Sequence, residues 1–337
     1  MSIMNRVLGI ILSLVISCSI AANENKTQHD MPINAALRTE ILTTLINNIK
    51  TDYVILDVGA RIQKTMNENI ANKKYDHITS ASEFALQITN DLQSISQDKH
   101  LELFYSHETI PITEGELSIA EQLKYHPLAT SENNFGFNEV SRLEGNVGYL
   151  SFNFFAPPEL AQQTAQAAMA FLAHTDALII DLRKNGGGYP GMIAFLASYF
   201  FGPEPVHLND LHWRKDNKVE QLWTLKDIPG DRYLDKKLYL LTSHETFSGA
   251  EEFAYDLKVL KRAIIIGETT AGGAHPGENY RINDHFSIFI PTGRAVNPIT
   301  KTNWEKTGVQ PDIAVSQDKA LQTAHALALQ ELLKRNK

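Results

Sequence analysis

The sequence predicts an α/β protein in which a small helical domain precedes a core of alternating strands and helices. Two observations support this prediction. Apolar residues recur at helical spacing from residue 34 to about residue 103. Beyond Phe135, short apolar runs alternate with helical segments, which is typical of a layered α/β architecture. The 337 residues are enough for one large or two modest domains with a buried core.

The first residues have the composition of an export signal. An apolar run from Val7 to Ile16 follows a basic residue and leads into small residues. We therefore predict a signal peptide over residues 1–22 and a flexible polar tether over residues 23–33. A lipoprotein signal is the alternative, because the residues that end at Cys18 resemble the bacterial lipobox, and a lipid on that cysteine would anchor the chain. Either signal predicts an exported protein that is periplasmic, attached to the outer membrane or extracellular.

The composition excludes several classes of partner and chemistry. The net charge of −8 and the absence of a basic stripe argue against a nucleic-acid partner. No apolar run in the body of the chain is long enough to span a bilayer. Since Cys18 is the only cysteine, the folded part of the chain has neither a disulfide nor a cysteine nucleophile.

The helical domain is predicted over residues 34–103 and contains about three helices. Their apolar positions repeat three or four residues apart, so each helix buries one face. The clearest repeats are Leu37, Ile41, Leu42, Leu45 and Ile49, and then Phe84, Ala85, Ile88, Leu92 and Ile95. The segment over residues 104–137 contains Pro111, Gly115 and Pro127, and we predict a linker or cap there.

Residues 138–337 are predicted to form the α/β core. Apolar runs predict its buried strands, and helical patterns separate them. The predicted strands cover residues 147–152, 177–182, 237–241, 263–266 and 285–290. The predicted helices cover residues 160–173, 192–201, about 250–257 and 319–333. Several of the turns that leave these strands are rich in glycine.

Ser248 lies where a predicted strand gives way to a helix. The apolar run Leu238–Leu241 ends in a small polar turn, and the helical pattern begins at Ala250. Backbone N–H groups at such a junction and the dipole of the helix both favour negative charge. A nucleophilic serine needs such donors, because they stabilise the oxyanion that forms beside it. The alternative is that Ser248 is only the N-cap of the helix, since serine is a preferred cap.

Three further loops carry residues that are able to bind a ligand or to assist catalysis. The loop Asp181–Gly188 follows a strand and ends in three glycines, which allow the backbone to approach a ligand closely. It lacks the lysine and hydroxyl residue of a phosphate-binding loop, so the alternative is a tight strand-to-helix turn. A second glycine loop, Gly267–Pro276, also follows a strand. Glu305 lies in a loop bracketed by glycine and proline, where it either orients a catalytic base or is merely solvated.

A nucleophilic serine also needs a base, because its hydroxyl does not ionise alone at neutral pH. Three of the 12 histidines lie near the segments described: His100 where the helical region gives way to a strand pattern, His244 on the approach to the serine, and His275 in the second glycine loop. Any one histidine is more often structural than catalytic, and sequence position alone does not choose among them.

These motifs together resemble the tail-specific (C-terminal-processing) serine peptidase family, and most closely its branch that contains the tricorn protease core and interphotoreceptor retinoid-binding protein. The resemblance covers nearly the whole chain after the predicted signal, through a helical domain and four ordered motifs. It implies a crotonase-like ββα superhelix for the core. It also implies four functional roles: a nucleophile at Ser248, an oxyanion hole at the N–H groups of Gly249 with Gly187 or Gly188, a general base at His100, and a supporting acidic residue at Glu305.

Three departures from the family pattern are visible. The processing branch uses a lysine as base in the glycine loop, but this position is Gly273 here, so a serine–lysine pair is not expected. In tricorn a serine precedes the histidine, whereas this chain has Lys99, which leaves the fourth member of the network unassigned. Residues 101–137 are too few for the PDZ domain that processing proteases usually carry. Capture of a substrate's C-terminus by such a domain is therefore not expected.

The resemblance implies an exported serine peptidase that cleaves polypeptides through an acyl-enzyme on Ser248. Because the sequence lacks the histidine and carboxylate spacing of a catalytic zinc site, we expect neither a metal nor another cofactor. The alternative is a catalytically silent protein that binds an apolar ligand or a peptide on the same scaffold, as in retinoid-binding protein. Acyl-CoA chemistry on this fold would need a nucleotide site, for which the sequence offers no candidate.

Overall fold

The structure is a computed structural model that describes residues 30–112 and 126–335. The described residues divide into two compact units. The first contains residues 30–112, 212–218 and 275–294, and the second contains residues 126–211, 219–274 and 295–335. The predicted signal peptide, Cys18 and part of the predicted linker lie outside the described residues.

Helices and strands within these ranges are numbered in chain order. The helices are α1 (Ala35–Asp52), α2 (Leu56–Ala71), α3 (Ala81–Ser96), α4 (Pro158–Leu172), α5 (Pro190–Ser198), α6 (Gly249–Val259) and α7 (Gln317–Arg335). The strands are β1 (Glu102–Tyr105), β2 (Phe137–Leu143), β3 (Val147–Phe152), β4 (Ala177–Asp181), β5 (His207–Trp213), β6 (Lys218–Trp223), β7 (Lys237–Thr242), β8 (Ile264–Gly267), β9 (Gly277–Arg281), β10 (Phe286–Pro291), β11 (Gly293–Val296) and β12 (Ile313–Ala314). Short 3-10 helices cover Pro127–Ala129 and Ser131–Gly136. This order confirms the predicted α/β fold with a helical N-terminal region.

The first unit is built on α1, α2 and α3, the three predicted helices. Asn34 and Ser80 cap the first and third of them, because their side-chain oxygens accept backbone N–H groups at 2.9 and 3.0 Å. The predicted apolar faces are buried in one shared core. At the end of α3, Gln97 adopts a left-handed conformation with φ of 61°, and the chain turns there into the segment that carries His100.

The helices of the first unit pack with an antiparallel sheet of order β1-β10-β9. Leu103 in β1 pairs with Ile288 in β10, and both side chains are buried in the core. The alternating pattern of the sequence predicts β10 but not β9. The reason is that Gly277–Arg281 contains only one large apolar side chain, Tyr280, and therefore gives little strand signal.

The second unit contains a six-stranded sheet of order β12-β8-β7-β4-β3-β2. Its strands are parallel except β2, which pairs antiparallel with β3. Because parallel strands share a carboxyl edge, the loops that follow β4, β7 and β8 leave the sheet at the same edge. The register sets them side by side, since Asp181 pairs with Leu241 and Thr242 pairs with Gly267. The two glycine loops and the turn that carries Ser248 therefore lie together.

Helix α7 packs against this sheet through small residues. Ala320, Ala324 and Ala328 are fully buried against a cluster that includes Ile179 and Tyr239. Their short side chains bring the helix close to the strands. Among the helices in the described ranges, α7 included, none combines the length and apolarity that a bilayer span requires.

A third sheet has the order β11-β5-β6. The sequence pattern predicts neither β5 nor β6. Leu208 and Leu211 of β5 are buried, but they lie three positions apart and do not alternate with polar residues. The side chains of β6 alternate only between half-buried and exposed positions. Both strands therefore lack the pattern on which sequence-based strand prediction depends.

Candidate active site

Ser248 occupies a sharp turn between β7 and α6. Its backbone has φ of 53° and ψ of −121°, a conformation that residues other than glycine rarely adopt and that costs about 1–3 kcal/mol. It is the N-cap residue of α6, as both interpretations of the sequence predict, and its carbonyl accepts the N–H of Glu252 at 3.0 Å. The surrounding contacts must hold this strained geometry, and such strain is concentrated at functional sites.

The first glycine loop lies directly against this turn. A Cβ atom on Gly187 would lie 2.7 Å from the nitrogen of Gly249 and 2.9 Å from the Cβ of Ser248. A Cβ on Gly249 would lie 3.0 Å from the nitrogen of Gly188. Both loop glycines also have positive φ, at 108° and 143°. Only glycine fits at these positions, because any larger side chain would clash with the turn. The structure thus brings Ser248 together with the three predicted oxyanion-hole residues.

The backbone N–H groups of the three oxyanion-hole glycines are not equally available to a substrate. The N–H of Gly187 donates to the side-chain oxygen of Asn185 at 2.9 Å, so it already has an acceptor. Gly249 is the first residue of α6, and its N–H has no acceptor within the helix. Of the two alternatives left open by the sequence, Gly188 is therefore the better partner for Gly249 in an oxyanion hole.

Asn185 fastens the glycine loop to the serine turn. Its side-chain amide donates to the carbonyl of Phe152 at 2.9 Å, and its own carbonyl accepts the N–H of Phe247 at 3.0 Å. The residue is fully buried. The side chain of Asn185 thus joins the glycine loop to the end of β3, and its backbone carbonyl joins the loop to the serine turn. No sequence pattern points to this residue, because Phe152 and Phe247 are distant from it along the chain.

Asp181, which opens the glycine loop, has a structural role. Its carboxylate accepts the hydroxyl of Tyr149 at 2.8 Å and the Nε–H of Arg183 at 2.9 Å. Burial, followed by the charge of Asp181, raises the pKa of Tyr149 to about 12. These contacts fix the end of β4 and leave the carboxylate occupied.

Glu251 connects the serine turn to the second glycine loop. The N–H groups of Ser248 and Gly273 donate to its Oε2 at 2.9 Å each. The N–H of Gly272 and the hydroxyl of Thr270 donate to its Oε1 at 2.6 and 2.5 Å. Burial raises the pKa of Glu251 to about 7, and these four donors oppose that effect. One buried carboxylate therefore joins the backbone of the candidate nucleophile to the second glycine loop.

Glu305 lies in a separate loop that packs against the second glycine loop. Its Oε2 accepts the N–H of Ala274 at 2.7 Å. The neighbouring Trp304 donates its indole N–H to the carbonyl of Gly273 at 2.7 Å, and Lys306 donates its N–H to Gly272 at 2.9 Å. The loop that carries Glu305 is thus pinned to the glycine loop, which Glu251 in turn joins to the serine.

His100 lies in the first unit, in the turn after α3. Its backbone N–H donates to the Oδ1 of Asp98 at 3.0 Å, and its Nδ1 lies 3.8 Å from the same oxygen. Its ring lies 6.1 Å from that of Phe289. Burial lowers the pKa of His100 to about 4, while the charge of Asp98 opposes this shift and that of His275 adds to it. The imidazole is therefore neutral, and able to accept a proton, at neutral pH.

Asp98 also binds His275, the second candidate histidine. The Nδ1 of His275 lies 2.7 Å from the Oδ2 of Asp98, and the hydroxyl of Tyr53 donates to that oxygen at 3.0 Å. Burial alone would raise the pKa of Asp98, but the hydrogen bond and charge of His275, with the charge of His100, lower it. An ionised, buried carboxylate thus groups two of the three candidate histidines. No sequence pattern points to Asp98, although it lies two residues before His100.

His244, the third candidate, is placed differently. Its Nδ1 lies 3.0 Å from the Oε2 of Glu268, and its side chain is 67% exposed. An exposed pair of this kind is screened by solvent and contributes little energy. The structure therefore favours His100 and His275 over His244 as sites of proton transfer.

Two protein-family models match the chain, one over its N-terminal part and one over its C-terminal part. Residues 146–315 match the model of Peptidase family S41, and residues 32–133 match the model of the N-terminal domain of Peptidase_S41 in eukaryotic IRBP. The chain is 25% identical over 230 residues to the carboxy-terminal processing protease CtpB of Bacillus subtilis strain 168. That match covers 66% of this chain and 44% of the relative, so the chain spans less than half of the relative's length.

Solved structures share the fold at low sequence identity. A lipoprotein from Streptococcus agalactiae superposes with a TM-score of 0.55 at 17% identity, covering 87% of this chain and 96% of the other. The tricorn protease superposes with a TM-score of 0.55 at 14% identity, covering 88% of this chain and 37% of the other. Both likenesses extend over most of the chain and concern the fold alone.

Proposed function

The chain belongs to peptidase family S41, and from this premise we propose that it is a serine peptidase that cleaves polypeptides through an acyl-enzyme on Ser248. The observation that carries the proposal is the serine's setting. Ser248 stands in a strained turn at the start of a helix, and the backbones of Gly188 and Gly249 meet beside it. Acyl transfer needs this combination of a positioned hydroxyl and preorganised N–H donors.

The reaction begins when the Oγ of Ser248 attacks the carbonyl carbon of the scissile bond. His100 takes the proton of the hydroxyl as the general base. The N–H groups of Gly249 and Gly188 stabilise the negative oxygen of the tetrahedral intermediate. When the intermediate collapses, the amine leaves with the proton that His100 returns. Water then attacks the acyl-enzyme by the same steps, which releases the carboxylic acid and restores the serine.

Glu305 serves in this proposal as a positioning residue. Its carboxylate accepts the N–H of Ala274 and thereby fixes the end of the glycine loop that Glu251 joins to Ser248. Its negative charge also favours the positive charge that the general base acquires during the reaction. The role is electrostatic and geometric, so an uncharged substitute of similar shape keeps only part of it.

Polypeptides are the proposed substrates because the similar Bacillus protein is named a processing protease. The test is to incubate the purified mature chain with an unfolded polypeptide, such as reduced casein, and to identify products by mass spectrometry. New termini that are absent from a Ser248→Ala control support a peptidase. Intact substrate that nevertheless binds to the folded protein supports the alternative, a catalytically silent binding protein on the same scaffold.

We also propose that the chain is exported, from the composition of its first residues. Expression of the full chain in a bacterial host and intact-mass measurement of the product test this. The expected mass corresponds to loss of about 22 residues, or to a lipid-modified chain that begins at Cys18. A full-length product that stays in the cytoplasm would contradict export.

Glu251→Gln is expected to lower kcat/KM on the order of 10²-fold while KM changes little. The amide group of glutamine would face N–H groups that now donate to a carboxylate oxygen, so the backbone of Ser248 and of Gly273 must shift. Displacement of about 1 Å at a reacting group costs roughly this factor. Steady-state kinetics on the casein substrate measure the effect.

Glu252→Gln is the matched control, because Glu252 is a buried glutamate on the same helical turn. Its Oε1 accepts the side-chain amide of Asn209 at 3.0 Å, and this hydrogen bond does not involve the glycine loop. We expect near wild-type kcat for this variant. Equal loss of activity in both variants, in parallel with loss of thermal stability, would show that Glu251 matters only for folding.

A further inference from the structure

The carboxylate of Asp98 lies within hydrogen-bonding distance of three groups from different parts of the first unit. Its Oδ1 accepts the backbone N–H of His100 at 3.0 Å. Its Oδ2 accepts the hydroxyl of Tyr53 at 3.0 Å and contacts the Nδ1 of His275 at 2.7 Å. The residue is only 1% exposed, yet its pKa is lowered, so it is an anion held entirely by protein groups. A buried anion this well satisfied is a fixed source of negative potential.

The hydrogen bond to Asp98 fixes the protonation pattern of His275. An ionised carboxylate only accepts hydrogen bonds, so the Nδ1 of His275 must carry the proton that is shared with Oδ2. His100 is related to Asp98 in another way. Its Nδ1 lies 3.8 Å from Oδ1, beyond hydrogen-bonding distance but within the range of strong charge interaction. The carboxylate of Asp98 thus orients His275 directly through a hydrogen bond. It acts on the ring of His100 through its charge, and on the backbone of His100 through a second hydrogen bond.

We propose that Asp98 and His275 are positioning residues that support proton transfer by His100. Asp98 fixes the turn that carries His100 and stabilises the imidazolium that forms when His100 takes a proton, and His275 holds Asp98 aligned and ionised. The pair supplies the member of the network that Lys99, in place of a serine, leaves unassigned. The inference rests on the proposed function, since it names the support of the same proton transfer.

The expected pH dependence follows from the charged groups around His100. Burial lowers its pKa to about 4, Asp98 raises it, and His275 lowers it, while Tyr53 faces Asp98 from the end of α1. Removing the charge of Asp98 removes a group that raises the pKa of His100 and so makes it a better base. The acid limb of kcat/KM then moves to lower pH, and the plateau falls because a weaker base transfers the proton less readily.

The first experiment is Asp98→Asn, which keeps the size of the side chain and removes its charge. We expect kcat to fall on the order of 10²- to 10⁴-fold, since the corresponding change in a serine protease triad costs about 10⁴. KM should change by less than about threefold, and the acid limb should move to lower pH. His285→Gln is the control, because the Nδ1 of this histidine of the same unit lies 3.0 Å from the carbonyl oxygen of Ser106 and not from Asp98. It should leave both kcat and the pH profile unchanged.

The second experiment compares His275→Ala with His275→Asn. Asparagine places an N–H donor near the position of Nδ1, whereas alanine removes it. We expect alanine to lower kcat on the order of 10- to 100-fold and asparagine to recover most of that loss. Should Asp98→Asn fail to fold, Tyr53→Phe removes one donor to the same oxygen and is expected to lower kcat about threefold to tenfold.

Two results would overturn the inference. Asp98→Asn or Tyr53→Phe with wild-type kcat and an unshifted pH profile would show that the carboxylate has no part in proton transfer. His275→Asn as inactive as Ser248→Ala would show that His275 itself moves the proton. Failure of the proposed function is distinguishable from these, because in that case the wild-type protein would not hydrolyse polypeptides or react with a serine-directed probe.

Discussion

Ser248→Ala is expected to lower kcat/KM for polypeptide hydrolysis by a factor of at least about 10⁴. Without the Oγ no acyl-enzyme forms, and only the oxyanion hole and substrate binding contribute to the residual rate. The change removes one atom from a residue that is 7% exposed, so stability and KM should change little. Steady-state kinetics with casein, together with a thermal melt, measure the two effects separately.

Ser243→Ala is the matched control for this variant. Ser243 is a buried serine in the same turn, and its hydroxyl donates to the carbonyl of Arg183 at 2.5 Å. Its removal is expected to cost stability but to leave kcat within a few-fold of the wild type. Residual activity above about 1% in Ser248→Ala would show that the serine is a helix cap and not the nucleophile.

His100→Ala is expected to lower kcat by several powers of ten, again about 10⁴ or more, because the proton of Ser248 then has no positioned acceptor. Burial holds the pKa of His100 at about 4, below its usual 6.5. A general base is active in its unprotonated form. The acid limb of the wild-type pH profile should therefore lie below pH 6, and activity should be level from there to neutral pH.

His244→Ala provides the control for His100, since His244 is exposed and paired with Glu268. It should retain wild-type kcat and an unchanged acid limb. Modest loss in His100→Ala combined with complete loss in His275→Ala would transfer the role of base to His275. An acid limb near pH 6.5 would also be inconsistent with His100 as the buried base.

Much of the fold follows from local pattern. Strands β3, β4, β7 and β8 are buried in a parallel sheet, so their sequences are continuous apolar runs, and the helices between them bury one face. The serine turn can be predicted from the sequence for the same reason, because six residues separate the end of the buried strand β7 from the start of α6. Strands β5, β6 and β9 contain no continuous apolar run and therefore show no such pattern.

The candidate site could be predicted only in part. Ser248 and Glu251 show the Ser-x-x-Glu spacing of a helix start, but nothing local indicates that Glu251 also binds Gly272 and Gly273. Asp98 and His275 are 177 positions apart, and no periodicity connects them. Residues joined only by tertiary contact need the folded structure, or a family resemblance, to be recognised as one group.

Reaction with a fluorophosphonate probe tests the nucleophile most directly. The probe phosphonylates an activated serine Oγ with loss of fluoride, so it requires the hydroxyl, the base and the oxyanion hole together but no knowledge of the natural substrate. The expected result is one adduct per chain, located by tandem mass spectrometry on the peptide that contains Ser248, and absent from Ser248→Ala. A folded wild-type protein that remains unlabelled, or that is labelled at another residue, would contradict the assignment of Ser248 as the nucleophile.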